Sequence, residues 1–374
     1  MPSRLQYRKI WHKTGLANSS ICCMSFSTDG ELLALGGSKE VCILTVDTSK
    51  VEFVLRAPRS LVIGLEWVKG RQSTLLCTFE DGSIVEIQLR QNGDVDVSRE
   101  RAASHQIRCY SLDSSSTRLA TGSNSDIRVF EREGEWWKEI HRVKPPKTYR
   151  DNHLLPVRVV SLHWSKVSRK RNTLIISYRY HGVQAWDITL ASFEHSPVLR
   201  TNKLIERTSL SPDGSQLAVV MENSFDVHSI AHDSPSYSLN RVGHTSSPAI
   251  FIHQGEAIAG AHRKGQIRLW NSVDGTRLQT LFHSNDKEVE SIAAFNANLD
   301  YFLLATASKD RVILWKAEET TPMLYYRGGD LIAAFFKRPF QIAFAFGVIA
   351  FLALASFTSV LNFDNLRALR ILPG

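Results

Sequence analysis

Short apolar runs alternate with polar turns along most of the chain, before residue 330. Each copy of the pattern has a run of small and apolar residues, a short polar turn, and a second run that ends on a bulky residue. Alternation with a period of two predicts β-strands, and no convincing helical period interrupts it in this part of the chain. The pattern occurs seven times, and its closing bulky positions are Leu44, Ile87, Phe130, Trp186, His228, Trp270 and Trp315.

The spacing of the copies is nearly constant. Successive closing positions are 43, 43, 56, 42, 42 and 45 residues apart. A period of this length in an all-β chain is typical of four-stranded blades around a central channel, because one blade alone cannot bury both of its faces. We therefore predict an all-β fold, a seven-bladed β-propeller of four-stranded blades, over residues 1–325. The 56-residue spacing predicts a protruding loop between the third and fourth blades.

Motifs within the copies resemble those of the tryptophan–aspartate (WD) repeat family. The resemblance covers roughly residues 5–320, and the family's closing Trp-Asp dipeptide occurs only once. The residues that carry the resemblance are Trp186-Asp187, Trp270, Trp315, Gly243-His244 and the SPDG sequence at 211–214.

The WD-repeat resemblance implies how the ring closes and which side chains hold it together. In that family an N-terminal strand completes the last blade. Residues 7–13 are the favoured candidate for this strand, and residues 321–327 are the alternative. The resemblance also implies that three tryptophans are buried between blades and that a structural hydrogen-bond network of His, Ser or Thr, Asp and Trp fixes the blade turns. The residues concerned are Trp186, Trp270, Trp315, His283 and Asp310.

The net charge of +8 comes from one segment. Residues 138–171 contain ten Lys or Arg and two acidic residues, so the rest of the chain is neutral overall. This basic segment has three interpretations: a solvated loop, a contact for anionic lipid headgroups, and a surface for an acidic protein partner. Nucleic acid is not favoured, because no aromatic-rich basic motif is present. The basic loop residues are Lys144, Lys147, Arg150, Lys166, Arg169, Lys170 and Arg171.

The C-terminal region contains a long uncharged run. Residues 339–363 have no charged side chain, and the stretch 340–361 would extend about 33 Å as a helix, enough for a hydrocarbon core of about 30 Å. We predict one transmembrane helix over 339–363 that contacts the lipid bilayer. A juxtamembrane linker at 326–338 precedes it, and a short tail at 364–374 lies across the membrane. A helix packed on the ring is the alternative, but the run is apolar on every face.

The N-terminus lacks the apolar core of a secretory signal peptide, so we expect the ring to face the cytosol. The endoplasmic reticulum membrane is the favoured destination of the anchor. The mitochondrial outer membrane is the alternative, because Arg367 and Arg370 make the short tail basic.

Catalytic motifs are missing from the sequence. It contains no G-x-S-x-G elbow, Walker A loop, G-x-G-x-x-G turn or kinase motif set, and its histidines lack metal-ligand spacing. We therefore expect no enzymatic activity, no cofactor and no metal. Loops held by a rigid scaffold commonly carry binding residues, which favours a membrane-tethered scaffold that binds protein partners. The candidate partner-binding residues, in turns between second and third strands, are Lys39, Glu80, Asp81, Arg179, Tyr180, Arg263, Lys264 and Lys309.

An alternative function is a guanine-nucleotide exchange factor for a small GTPase in early secretory vesicle-coat assembly. The layout of a membrane-anchored propeller is similar to that exchange-factor family, in which a glycine-rich loop of the first blade binds potassium and reaches the GTPase. The corresponding sequence here, LALGGSKEV, lacks the longer glycine run.

Overall fold

The structure is a computed structural model of the chain. The predicted linker, transmembrane helix and tail at 326–374 lie outside the residues that it describes, as does the alternative closing strand at 321–327. Within the described part of the chain, no helix is long and apolar enough to span a membrane. The described residues are 5–16, 20–56, 60–71, 73–90, 92–101, 106–146, 152–165, 172–194, 198–221, 224–230, 235–240, 248–284, 287–296 and 301–319.

Seven antiparallel sheets of four strands account for the described secondary structure, together with one short 3-10 turn at His253–Gly255. The seven-bladed β-propeller of four-stranded blades is therefore confirmed. Strand β1 (Leu5–Lys13) precedes the first blade. Blade 1 consists of β2 (Ile21–Phe26), β3 (Leu32–Gly37), β4 (Glu40–Thr45) and β5 (Val51–Arg56). Blade 2 consists of β6 (Val62–Trp67), β7 (Thr74–Phe79), β8 (Ser83–Leu89) and β9 (Val95–Arg101). Blade 3 consists of β10 (Cys109–Leu112), β11 (Arg118–Ser123), β12 (Asp126–Glu133) and β13 (Trp136–Val143).

The other four blades follow in chain order. Blade 4 consists of β14 (Val159–Trp164), β15 (Thr173–Tyr178), β16 (Gly182–Asp187) and β17 (Ser192–Phe193). Blade 5 consists of β18 (Ile205–Leu210), β19 (Gln216–Met221), β20 (Ser224–Ser229) and β21 (Pro235–Asn240). Blade 6 consists of β22 (Ala249–Ile252), β23 (Ala257–His262), β24 (Gln266–Asn271) and β25 (Arg277–Phe282). Blade 7 consists of β26 (Ser291–Asn296), β27 (Phe302–Ser308), β28 (Arg311–Glu319) and β1.

The ring closes through the N-terminal strand. Strand β1 pairs antiparallel with β28, with Tyr7 opposite Ala317, and is the outermost strand of blade 7. First strands of successive blades contact one another, and the first strand of blade 7 contacts that of blade 1. Closure by residues 7–13 is therefore confirmed, and the strand begins two residues earlier than predicted.

The seven closing positions occupy equivalent places in their blades. Each lies in the third strand, opposite a leucine or isoleucine of the second strand, as Trp186 lies opposite Leu174. Residues at the same distance from a closing position can therefore be compared between blades.

Hydrophobic clusters hold neighbouring blades together. One cluster of buried side chains lies at each of the seven interfaces between blades. Between blades 5 and 6, for example, the rings of Phe225 and Trp270 stack with centroids 5.8 Å apart. Because buried apolar area stabilises a fold roughly in proportion to its size, this stabilisation is distributed around the ring.

The two faces of the ring carry different connections. We call the face where second strands turn into third strands the upper face. Since the strands are antiparallel, the chain also passes from blade to blade at this face. The opposite, lower face carries the turns from first to second and from third to fourth strands. Strand β28 ends at the lower face, at Glu319.

Candidate functional site

The eight predicted partner-binding residues all lie in turns of the upper face. They come from five of the seven blades, so they form an arc of separate turns. Blade 1 contributes Lys39, blade 2 Glu80 and Asp81, blade 4 Arg179 and Tyr180, blade 6 Arg263 and Lys264, and blade 7 Lys309.

The two acidic residues in this set are paired within the ring. The carboxylate of Glu80 lies 3.4 Å from the guanidinium of Arg108, and that of Asp81 lies 3.3 Å from the guanidinium of Arg99. The Arg99–Asp81 side chains are 60% and 39% exposed, so this pair adds at most about 1 kcal/mol to stability. These acids are neutralised locally.

The basic residues of the upper face behave differently. Lys39, Arg263, Lys264 and Lys309 are exposed, and their side chains form no ion pair or hydrogen bond with any described group. Lys264 and Lys309 adopt left-handed backbone conformations, with φ of 56° and 51°, as tight turns often require. The upper face therefore presents cations whose charge the described residues leave without a direct partner.

Arg179 and Tyr180 form a contact of their own on blade 4. The guanidinium of Arg179 lies 5.8 Å from the centroid of the Tyr180 ring, and both side chains are half-buried. This distance is within the range of a cation–π interaction. The pair presents a partly apolar surface at the upper face.

Part of the basic segment 138–171 lies in the described chain. Lys144 is exposed just after β13, at the upper face. Strands β14 and β15, which precede and follow residues 166–171, are joined at the lower face. The remaining predicted basic residues lie outside the described residues: Lys147, Arg150, Lys166, Arg169, Lys170 and Arg171.

No family model matches this chain, and no curated protein is detectably similar to it in sequence. The WD-repeat likeness therefore stays a resemblance of motifs, and the functional argument depends on the ring and its side chains.

A buried hydrogen-bond network joins blades 6 and 7. The imidazole Nδ1 of His283 lies 2.9 Å from the Thr306 hydroxyl, and the Trp315 indole N–H donates to the same oxygen at 3.0 Å. Burial, followed by repulsion from Arg311, lowers the pKa of His283 to about 4. The network holds a neutral histidine and lies in the core, which fits a structural role.

Two structural expectations need correction. Trp186 and Trp315 are buried, but Trp270 is half-buried, and the exposed Arg277 lies opposite it on the fourth strand. Asp310 lies half-exposed in the turn between β27 and β28. It forms no bond to His283, whose Nε2 has no partner among the described groups.

Sequence reasoning missed an ion pair between blades 2 and 3. The guanidinium of Arg132 bonds to the carboxylate of Glu86, and these side chains are only 8% and 13% exposed. The Trp137 indole N–H donates to the same carboxylate at 3.3 Å, and Arg132 lies 5.1 Å from the Trp137 ring centroid. We call these three residues the interblade clasp. No sequence motif marks it, because its charges come from different blades.

A second arginine of blade 3 is paired with two carboxylates. Arg128 donates to Glu139 at 2.9 Å and to Asp126 at 3.1 Å. Burial lowers the pKa of Arg128, but the bonds to Asp126 and Glu139 more than offset this, so its pKa is raised. Alignment of the repeats on their closing positions would have singled out Arg128, which lies two residues before Phe130.

A cavity of about 330 Å³ opens at the lower face, between the first strands of blades 2 to 5. Glu66, Tyr110 and His163 line it, together with Trp67 and Trp164. Both indole N–H groups and the tyrosine hydroxyl donate to backbone carbonyls of the preceding blade, and the histidine contacts a hydroxyl of the next blade at 3.0 Å. Four of these five side chains thus connect neighbouring blades. In the described part of the chain, no group of His, Cys, Asp or Glu could hold a metal ion.

Proposed function

We propose that this propeller is a scaffold that binds protein partners through the turns of its upper face. The observation that carries the proposal is the set of exposed cations on these turns, Lys39, Arg263, Lys264 and Lys309, which form no ion pair within the described part of the ring. Binding residues are commonly found on loops held by a rigid scaffold, and a closed ring of packed blades is such a scaffold. We propose that the scaffold acts without catalysis or a bound cofactor.

We also propose that residues 339–363 tether the scaffold to a membrane, with the ring in the cytosol. The uncharged length of this run is the argument for it. The endoplasmic reticulum is the favoured membrane, and the mitochondrial outer membrane is the alternative. Carbonate extraction of membranes, followed by protease treatment of intact vesicles, tests the tether. Recovery of full-length protein in the soluble fraction, or protection of the ring from protease, contradicts it.

The exchange-factor alternative has no observation in its favour. The turn between β3 and β4 consists of Ser38 and Lys39 alone, which is too short for the ion-binding loop that the resemblance implies. Nucleotide release from early secretory GTPases, measured with the full-length chain, separates the two functions. Acceleration of release replaces the scaffold proposal with the alternative.

The scaffold function is tested by capture of partners from membranes with the full-length chain. We expect proteins that are retained by the natural chain and lost when Lys39, Arg263, Lys264 and Lys309 are all changed to glutamine. Arg8 and Lys50 are exposed and already paired with acids, so a double glutamine variant at these positions is the control. Identical captured proteins for all three chains would contradict a role of the upper face.

A further inference from the structure

Three arginines of blade 6 lie close together on the side of the blade that faces blade 5. Arg263 is in the upper-face turn, Arg268 is in the middle of β24, and Arg277 begins β25. Arg277 is opposite Trp270 on the neighbouring strand, and Arg268 is two residues from Trp270, so both project from the same side of the sheet. That side faces blade 5, because Trp270 stacks there on Phe225. We call these three residues the arginine track.

The positive charge of the track is not neutralised by the described residues. None of the three guanidinium groups forms an ion pair or a hydrogen bond with a described group, and the Nε of Arg268 is shielded from solvent without a partner. Burial lowers the pKa of Arg268, and repulsion from Arg277 and Arg263 lowers it further. The nearest acid along the chain, Asp274, accepts hydrogen bonds from Thr276 in its own turn.

Blade 3 shows how the same position is neutralised elsewhere in the ring. Arg128 and Arg268 both lie two residues before their closing positions. Arg128 has an aspartate two residues before it and a glutamate opposite the closing residue, and it binds both. At the equivalent places blade 6 has Gln266 and Arg277. One partner is thus uncharged and the other has the same sign as Arg268.

We propose that the arginine track binds an extended acidic segment of a protein partner, whose carboxylates supply the charge that Asp126 and Glu139 supply in blade 3. The inference deepens the proposed scaffold function and rests on it. Arginine donates two parallel hydrogen bonds to a carboxylate, and such bonds strengthen where the guanidinium is partly desolvated, as it is at Arg268.

The small number of cations in the track and their position along one blade favour a peptide over a membrane or a nucleic acid. The track descends from the upper face along one blade, and the half-buried Trp270 ring lies beside it. Arginine and tryptophan are the residue types that contribute most to protein interfaces. A lipid surface or a nucleic acid needs many cations spread over a broad surface, and the track offers three in a line.

The test measures binding of a labelled oligoglutamate peptide to the full-length chain, purified in a non-ionic detergent, by fluorescence anisotropy. We expect saturable binding that weakens about tenfold or more in Arg277→Glu, since one charge-assisted contact is replaced by repulsion. Arg8→Glu is the matched control, because Arg8 is also exposed on an outermost strand. This control should bind the peptide as the natural chain does. A labelled oligolysine peptide should not bind.

Several outcomes would overturn the inference. Equal binding of oligoglutamate to Arg277→Glu and the natural chain would place the contact elsewhere. Arg277→Glu could also weaken binding to vesicles of phosphatidylcholine and phosphatidylserine, or to a single-stranded oligonucleotide, more than it weakens binding to oligoglutamate. That result would assign the track to lipid or to nucleic acid. If partners captured from membranes depend on the upper-face lysines but not on Arg277, the scaffold function stands and this inference fails. If oligoglutamate binds as expected but no partner is captured, the scaffold function fails.

Discussion

Blades 3 and 6 carry an arginine at the same place in the repeat, with opposite surroundings. Around Arg128, Asp126 and Glu139 neutralise the charge within the blade, and the pKa of the guanidinium is raised. Around Arg268, the corresponding neighbours supply no negative charge, and burial together with Arg277 lowers its pKa. An arginine at the same place is therefore paired within the ring in blade 3, whereas in blade 6 it has no partner among the described residues.

The comparison separates charges that hold the ring together from charges that are available to a partner. A buried charge that has lost its partner is costly, so a fold retains one where another constraint keeps it. The charges of the clasp and of Arg128 are paired within blades 2 and 3, whereas the arginine track of blade 6 and Lys309 of blade 7 form no ion pair with a described residue. Substitutions should therefore affect stability on one side of the ring and binding on the other.

The largest expected change in stability is at the interblade clasp, on the side of the ring formed by blades 2 and 3, which we call the paired side. Arg132→Ala leaves the carboxylate of Glu86 largely buried, with the Trp137 N–H and the guanidinium of Arg71, 3.9 Å away, as its remaining partners. Removal of one partner from a buried ion pair costs about 3–5 kcal/mol, so we expect a loss of this size in the free energy of unfolding. Denaturant titration at neutral pH measures it.

The control for the clasp is Arg263→Ala on the unpaired side. Its side chain is exposed and has no described partner, so its removal should change stability by less than about 0.5 kcal/mol. Similar losses for the two variants would contradict the division of the ring into a paired and an unpaired side.

The stability of the interface between blades 6 and 7 should depend on pH. His253 and His283 are buried there, and burial lowers the pKa of each to about 4. A folded pKa below the unfolded value of about 6.5 means that stability is complete above that value and falls as the pH drops towards 4. Between pH 7 and pH 5 the free energy of unfolding should decrease by about 2 kcal/mol for each histidine.

His283→Gln tests this dependence. The variant should lose about half of the histidine contribution, so the difference between its unfolding free energy and that of the natural chain should narrow as the pH falls from 7 to 5. A constant difference over this range would mean that His283 is charged in the folded ring, or that its pKa is not lowered.

The sequence predicts the ring well because the fold depends on a repeated local pattern. Alternation defines the strands, the period defines the blade count, and each closing residue meets a leucine or isoleucine across the sheet. Trp186 is buried with Phe193 opposite it, and Trp315 is buried with Lys9 opposite it. Trp270 has the same place in its blade but is half-buried, and the pattern of apolar positions does not encode that difference.

Charge pairing is less predictable, because it depends on which side chains face one another across blades. Glu86 and Arg132 are distant in the chain and meet only once the ring has formed. Glu80 and Asp81 look like exposed candidates in the sequence, yet arginines of the second and third blades neutralise them. The arginine track has no motif in the sequence, because it is defined by which residues lie opposite one another across the sheet in equivalent blades.

Substitution of Arg128 should reduce the free energy of unfolding by less than Arg132→Ala does. Its side chain is 11% exposed, but Asp126 and Glu139 are 31% and 37% exposed, so water compensates for part of the lost interaction. Arg128→Gln should therefore reduce the free energy of unfolding by about 1–2 kcal/mol. The same change at Arg268 should cost less, because Arg268 forms no ion pair with a described residue. Denaturant midpoints of the two variants test this, and an equal or larger loss at Arg268 would mean that its charge is already paired.

The smallest effect should be a gain. Arg277→Glu places a carboxylate opposite Trp270, where blade 3 has Glu139, and so gives Arg268 the partner it lacks. An exposed pair of this kind adds up to about 1 kcal/mol to the free energy of unfolding. Arg277→Gln removes the repulsion without adding a carboxylate, so it should show only part of this gain. In a chain that also carries Arg268→Gln the gain should disappear, and salt should reduce it when Arg268 is present. If Arg277→Glu stabilises the ring and abolishes binding of oligoglutamate, the charge of the track contributes to partner binding and not to the stability of the ring. A gain that persists without Arg268 would show that the carboxylate interacts with another group.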